Sequence, residues 1–226
     1  MTVSASGRRP VVVGLHHEVL RSWGGLRREL ELPPKVLSLD FHTDTLSAMR
    51  RGVPAPAPGA WRDAGKIERA VASLRHDEHF DWAIRAGLVS EVVLLAISPQ
   101  PEPPPPGIRV FPVPGLAPED VLNRPEHVRA AVDGLLSDGL FPPEVRAAFG
   151  DGTPYILDLD CDFFPTARAL EFAPDGFFAE LVRHAALVTV AEESDWVRLI
   201  RFPGETLTGE TAARFLAERI SGCRLR

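Results

Sequence analysis

Five short apolar runs constrain this chain more than any other feature: PVVVGL at Pro10–Leu15, KVLSL at Lys35–Leu39, EVVLLAI at Glu91–Ile97, PYILDL at Pro154–Leu159 and LVTVA at Leu187–Ala191. Each has strand length and little polar alternation, the pattern of a strand buried on both faces. Stretches with helical spacing lie between them. Glu18–Leu30 brings Val19, Leu20, Trp23, Leu26 and Leu30 near one face, although Gly24 and Gly25 weaken its middle by about 1 kcal/mol each. Pro33 and Pro34 end it. Further helices are expected over Ile67–Leu74, Phe80–Leu88, Glu126–Leu136 (Pro125 in its first turn), after Pro143, from a cap at Asp175 to Ala186, and over Thr208–Ile220. Strands alternating with helices predict an α/β fold, a three-layer α/β/α arrangement around a mainly parallel sheet.

The length of 226 residues fits one domain over 1–226, with a flexible polar tail at 1–9. Arg51–Gly59 reads as loop, and 98–118 as a stiff proline-rich surface loop with a short strand, Arg109–Phe111, inside it. Two cysteines, Cys161 and Cys223, exclude a disulfide scaffold. The net charge of −6 comes without a basic face, so no nucleic-acid partner is expected. No apolar run approaches the roughly 20 residues of a membrane span, and the first residues lack the apolar core of a signal peptide. No membrane partner and a cytoplasmic location are therefore expected; oligomerisation is left open.

In parallel α/β sheets the site lies beyond the carboxyl ends of the strands. Four of the five main runs end in groups able to bind metal or move protons: His16, His17 and Glu18; Asp40, His42 and Asp44; Asp158, Asp160 and Asp162; Glu192 and Glu193. In extended chain, residues two apart share a face. Asp40, His42 and Asp44 therefore point together, as do Asp158 and Asp160. So many carboxylates cannot all stay ionised without counter-charge, and two divalent cations supply it. A set rich in carboxylates with few imidazoles favours a hard ion such as Mn²⁺. A DxD pair alone also occurs in metal-dependent phosphoryl and glycosyl transferases. That alternative leaves Asp40, His42 and Asp44 without a role, and the chain has no glycine loop to cradle phosphate.

At these residues the chain resembles the arginase/deacetylase superfamily: an early strand ending in His, then LDFHTDT, then LDLDCDFF. HHEVL, SLDFHTDT, DWAIRAG and YILDLDCDFF look most like its small peptide-arginase branch, which converts arginine side chains within peptides to ornithine. The resemblance implies an arginase-like fold and a binuclear manganese hydrolase. Its substrate would be an arginine-containing peptide or a small guanidino compound; its products would be ornithine and urea. Another C–N hydrolase of the same fold is the alternative.

The implied roles follow position by position. Asp40 and Asp158 would bridge two Mn²⁺ ions; His16 with Asp44 would complete one ligand set, and His42 with Asp160 the other. His16 is preferred over its neighbour His17, and Asp162 is either a further ligand or a residue that orients its loop. Asp44 would carry a proton from the attacking hydroxide. His76 or His79 would protonate the departing amine, since that step needs a group titrating near neutrality. Glu192 or Glu193 would hold the guanidinium, with Glu192 preferred. Trp82 and Cys161 read as core residues.

Overall fold

In the computed structural model, which describes residues 9–99 and 102–224, every apolar run forms a strand of one parallel sheet. The strands are β1 (Val11–Val13), β2 (Lys35–Asp40), β3 (Glu91–Ala96), β4 (Ile108–Pro112), β5 (Tyr155–Asp160) and β6 (Leu187–Ala191). Their order is β1-β6-β5-β2-β3-β4. The segment over 98–118 therefore supplies an edge strand, β4, where a terminal proline breaks no central ladder.

Alternation along the strands divides the interior into two cores. Leu37, Leu39, Val93, Leu95, Leu157, Leu159, Val188 and Val190 face one; Val36, Val92, Leu94, Ile156 and Leu187 face the other. The second core is covered by α1 (Leu20–Glu29), α2 (Ala64–Ser73) and α3 (His79–Ala86). The first is covered by α4 (Pro118–Asn123), α5 (Pro125–Val132), α6 (Pro143–Phe149), α7 (Phe177–His184), α8 (Ser194–Ile200) and α9 (Gly209–Arg224). The result is the three-layer α/β/α arrangement.

Several local expectations change. The helix read over Glu18–Leu30 opens as a 3-10 turn, His16–Val19, before α1 begins. Gly24 does not weaken it idly: a Cβ there would collide with Ile67 Cδ1, so the glycine lets α1 and α2 approach. Asp175 does not cap α7. Gly176 holds the cap position, and Asp138 Oδ1 accepts the Phe177 N–H at 2.8 Å across 39 residues of sequence. α4 and α8 were not anticipated; α8 has seven residues and buries only Val197 and Ile200, too short for a periodicity to register. The tail over 1–8 lies outside the described residues.

Candidate metal centre

Four adjacent strands, β1, β6, β5 and β2, end along one edge of the sheet and deliver the acidic and histidine residues there. Asp40 ends β2 and Asp160 ends β5. The winding of the sheet divides at the β2–β5 pair, with β3 and β4 added on one side and β6 and β1 on the other. Such a switch point opens a crevice at the strand ends.

The side chains converge on His16, which is fully buried. Its Nδ1 lies 3.0 Å from Asp44 Oδ2, 3.1 Å from Asp160 Oδ2 and 3.5 Å from Asp40 Oδ2. Ligand atoms of His16, Asp40, Asp44 and Asp160 all fall within 4.8 Å of one another, as do those of Asp40, His42 and Asp162. Asp40 belongs to both groups. Its Oδ1 accepts the His42 backbone N–H at 2.7 Å, while its buried Oδ2 has no hydrogen-bond donor among the described residues. Asp162 Oδ2 lies 2.9 Å from His42 Nδ1, and its Oδ1 accepts the Phe41 N–H at 3.1 Å.

Asp158 is differently employed. The sheet register places it between Ser38 and Thr189, on the same face as Asp40 and Asp160. Ser38 Oγ donates to its Oδ2 at 2.9 Å, and Thr189 Oγ1 to its Oδ1 at 2.5 Å. His16 Nε2 completes the arrangement at 2.7 Å from Oδ2. A carboxylate accepts but does not donate, so the proton of this contact sits on Nε2, on the side of the ring away from Asp44.

Among the described residues, two with side chains adopt left-handed backbone, Asp44 at φ 43° and Glu193 at φ 39°. Both are at this centre. Such backbone costs about 1–3 kcal/mol and concentrates at functional sites. At Glu193 it turns the chain out of β6 and into α8, and Glu193 Oε1 accepts the His16 backbone N–H at 2.6 Å. Glu193 is 4% exposed, whereas Glu192 borders a surface pocket with Arg9, Glu210 and Arg214. The residue facing the cluster is thus Glu193 rather than Glu192. The two carry no distinguishing local signal in sequence; the left-handed turn decides between them.

Burial, then the charges of Asp44, Asp162 and Asp160, hold the Asp40 carboxyl well above its ordinary range. Burial and the neighbouring Asp162 charge do the same to Asp160. For His16, burial alone would favour the neutral ring, but the Asp158 charge and the hydrogen bonds to Asp158, Asp160 and Asp44 raise it well above the usual imidazole value. His42 is likewise raised, against its burial, by Asp162. Burial also raises Glu193. The cluster therefore carries excess negative charge that retains protons, the electrostatic demand a bound cation would meet.

The remaining predicted residues separate. His17 is mostly buried but joins none of the three-residue-or-larger ligand groups found among the described residues. His76 is half-buried, its ring centroid 5.9 Å from that of Trp196. Trp196 also lies edge-on to His42 at 4.8 Å, so it forms a rim that sequence reasoning did not pick out. His79 is fully buried, its ring 4.4 Å from His16. Trp82 and Cys161 are core residues, on opposite faces of the sheet. Ser38 and Thr189 were missed because a strand serine or threonine carries no chemical signature until register places it beside an aspartate.

The donor set suits divalent cations: converging carboxylates and imidazoles, a buried Asp40 oxygen with no donor, and a buried His79 Nε2 with none.

No family model matches the chain, and no curated protein matches it. Among solved structures, proclavaminate amidino hydrolase from Streptomyces clavuligerus aligns over 95% of this chain and 63% of that one, with a TM-score of 0.48 and 18% sequence identity. The chain thus spans 63% of that protein's length. No helix among the described residues is long and apolar enough to cross a membrane.

Proposed function

We propose that this protein is a binuclear metal-dependent hydrolase that cleaves the guanidinium of arginine, most simply arginine within a peptide, to ornithine and urea. The observation that carries the metal reading is Asp40, which is common to the two carboxylate-rich ligand groups and keeps one buried oxygen without a hydrogen bond. One ion would be held by His16, Asp44 and Asp160, the other by His42 and Asp162, with Asp40 between them. Asp160 and Asp162 then form the acidic pair of β5, and Asp158 supports His16. Bound there, two divalent cations would supply Lewis acidity and lower the pKa of water toward neutrality; Mn²⁺ is the ion proposed.

The chain's own residues have the following work. Glu193 uses Oε1 on the His16 N–H, which leaves Oε2 for a guanidinium N–H. Hydroxide attacks the guanidinium carbon, and Asp44 takes up the proton it carried. The bond from that carbon to the side-chain nitrogen breaks, its electron pair stays on nitrogen, and that nitrogen takes the proton held by Asp44 and one more, so that the amine leaves as an ammonium with urea as the other product. His76, beside Trp196, would deliver that second proton. The engagement of the Asp158 oxygens by Ser38, Thr189 and His16 argues against the transferase alternative.

The test is to incubate Mn²⁺-loaded protein with free arginine and with arginine-containing peptides and to follow urea. Urea release with a peptide mass loss equal to cyanamide is expected. Urea from free arginine alone would reassign the substrate. No urea from either would remove the guanidino reading.

A further inference from the structure

His79 is the buried group that this mechanism leaves idle. It opens α3 and is wholly inaccessible, packed against Phe80 at 4.0 Å and Trp23 at 5.8 Å between ring centroids. Its Nδ1 lies 2.8 Å from the carbonyl oxygen of His76. A carbonyl only accepts, so Nδ1 carries the hydrogen, and in the neutral ring Nε2 presents a lone pair. Among the described residues that Nε2 has no hydrogen-bond partner. A buried polar atom without a partner costs about 1–3 kcal/mol unless something else engages it. His79, His16 and Asp44 each bring a ligand atom within 4.8 Å of one another. Fixing one ring nitrogen on a carbonyl while the other stays open is the usual arrangement behind a metal-bound histidine.

We propose that His79 is itself a metal ligand, so that the ion held by His16 and Asp44 gains a second imidazole from α3. This rests on the binuclear reading above and changes its chemistry. A seat with two imidazoles suits a borderline transition cation such as Zn²⁺, Fe²⁺ or Co²⁺ better than a carboxylate-dominated one does. The two ions would then differ in character: a softer seat under α3 and a harder one at Asp40, His42 and Asp162. His79 is by the same geometry unsuited to donating a proton to substrate, since its one N–H is committed to His76.

The experiment is a titration of Zn²⁺ into full-length protein with ¹⁵N-labelled histidine, read at the ring nitrogens. It uses the wild-type chain, so no folding defect confuses it. The expected result is a metal-induced shift of His79 Nε2, together with shifts of His16 and His42, while His127 and His184 stay unmoved. Shifts of His16 and His42 with His79 unchanged would overturn this proposal and leave the binuclear reading standing. No shift at any of the three would overturn both. As a second measurement, H79Q should bind one of two Zn²⁺ ions more weakly by on the order of tenfold or more, with the other unaffected; equal affinities for both ions in H79Q and wild type would also overturn the proposal.

Discussion

His16 Nε2 lies 2.7 Å from Asp158 Oδ2, and this contact decides which face of the imidazole meets the acidic cluster. With Nε2 committed, Nδ1 faces Asp44, Asp160 and Asp40. In the proposed centre Asp158 would accordingly act on a ligand, His16, without being one. Replacing it by Asn leaves one acceptor oxygen for three donors and brings an NH₂ group against them. D158N is expected to keep two ions while binding them about 10–100-fold more weakly, whereas D162N loses one ion. Equilibrium dialysis separates the cases. Loss of an ion in D158N with two retained in D162N would restore Asp158 and Asp160 as the ligand pair.

The metal-free cluster makes stability depend on pH in a definite direction. Asp40, Asp160, Glu193 and His16 all hold protons more tightly when folded than their ordinary values allow. Stability from such groups is fully present below their unfolded pKa values and is lost as pH rises through the folded ones. His79 is shifted down, by burial first, so it opposes this trend only near and below the ordinary imidazole value. Between about pH 6.5 and about pH 8.5 the melting temperature of metal-free protein should therefore fall as pH rises, and divalent cations should abolish the fall by replacing the protons. A metal-free midpoint that is flat or climbs over that range contradicts the electrostatic account.

Gly209 ties α9 to the centre. A Cβ at this position would collide with the carbonyl oxygen of Glu192, a backbone atom with no freedom to yield. G209A must displace the Glu192–Ser194 turn that aims Glu193. A loss of about 2 kcal/mol is expected from urea denaturation, together with weaker substrate binding. An unchanged midpoint would show that the turn adapts freely.

The two glutamates should separate kinetically. E193Q removes a buried carboxylate beside the cluster and should raise KM for a guanidino substrate by about tenfold or more, the scale of a lost charge-assisted hydrogen bond. E192Q, next to Arg9 and Arg214 on the surface, should leave both kcat and KM unchanged. The reverse pattern would move the guanidinium site to Glu192.

The strands were legible because burial on both faces demands near-continuous apolar runs, and the edge carrying the chemistry followed from the strand ends. What sequence left open was set by three-dimensional register. LDLDCD offers two overlapping DxD pairs, and only the row Ser38, Asp158, Thr189 shows that the first aspartate is already satisfied within the sheet. His16 and His17 are equivalent as letters; the 3-10 turn sends His16 inward against Asp158. Asp175 looked like a cap because capping is usually local, while here Asp138 supplies it from a distant segment. Gly24 read as a helix weakness because its partner, Ile67, lies on another helix.

The most direct test is Mn²⁺ stoichiometry per chain, by equilibrium dialysis, on wild type and D40N side by side. Asp40 is common to the two carboxylate-rich ligand groups, so the account predicts two tightly held ions in wild type and weakened binding of both in D40N. One ion or none in wild type, or two ions held equally well in D40N, would contradict a binuclear centre joined through Asp40.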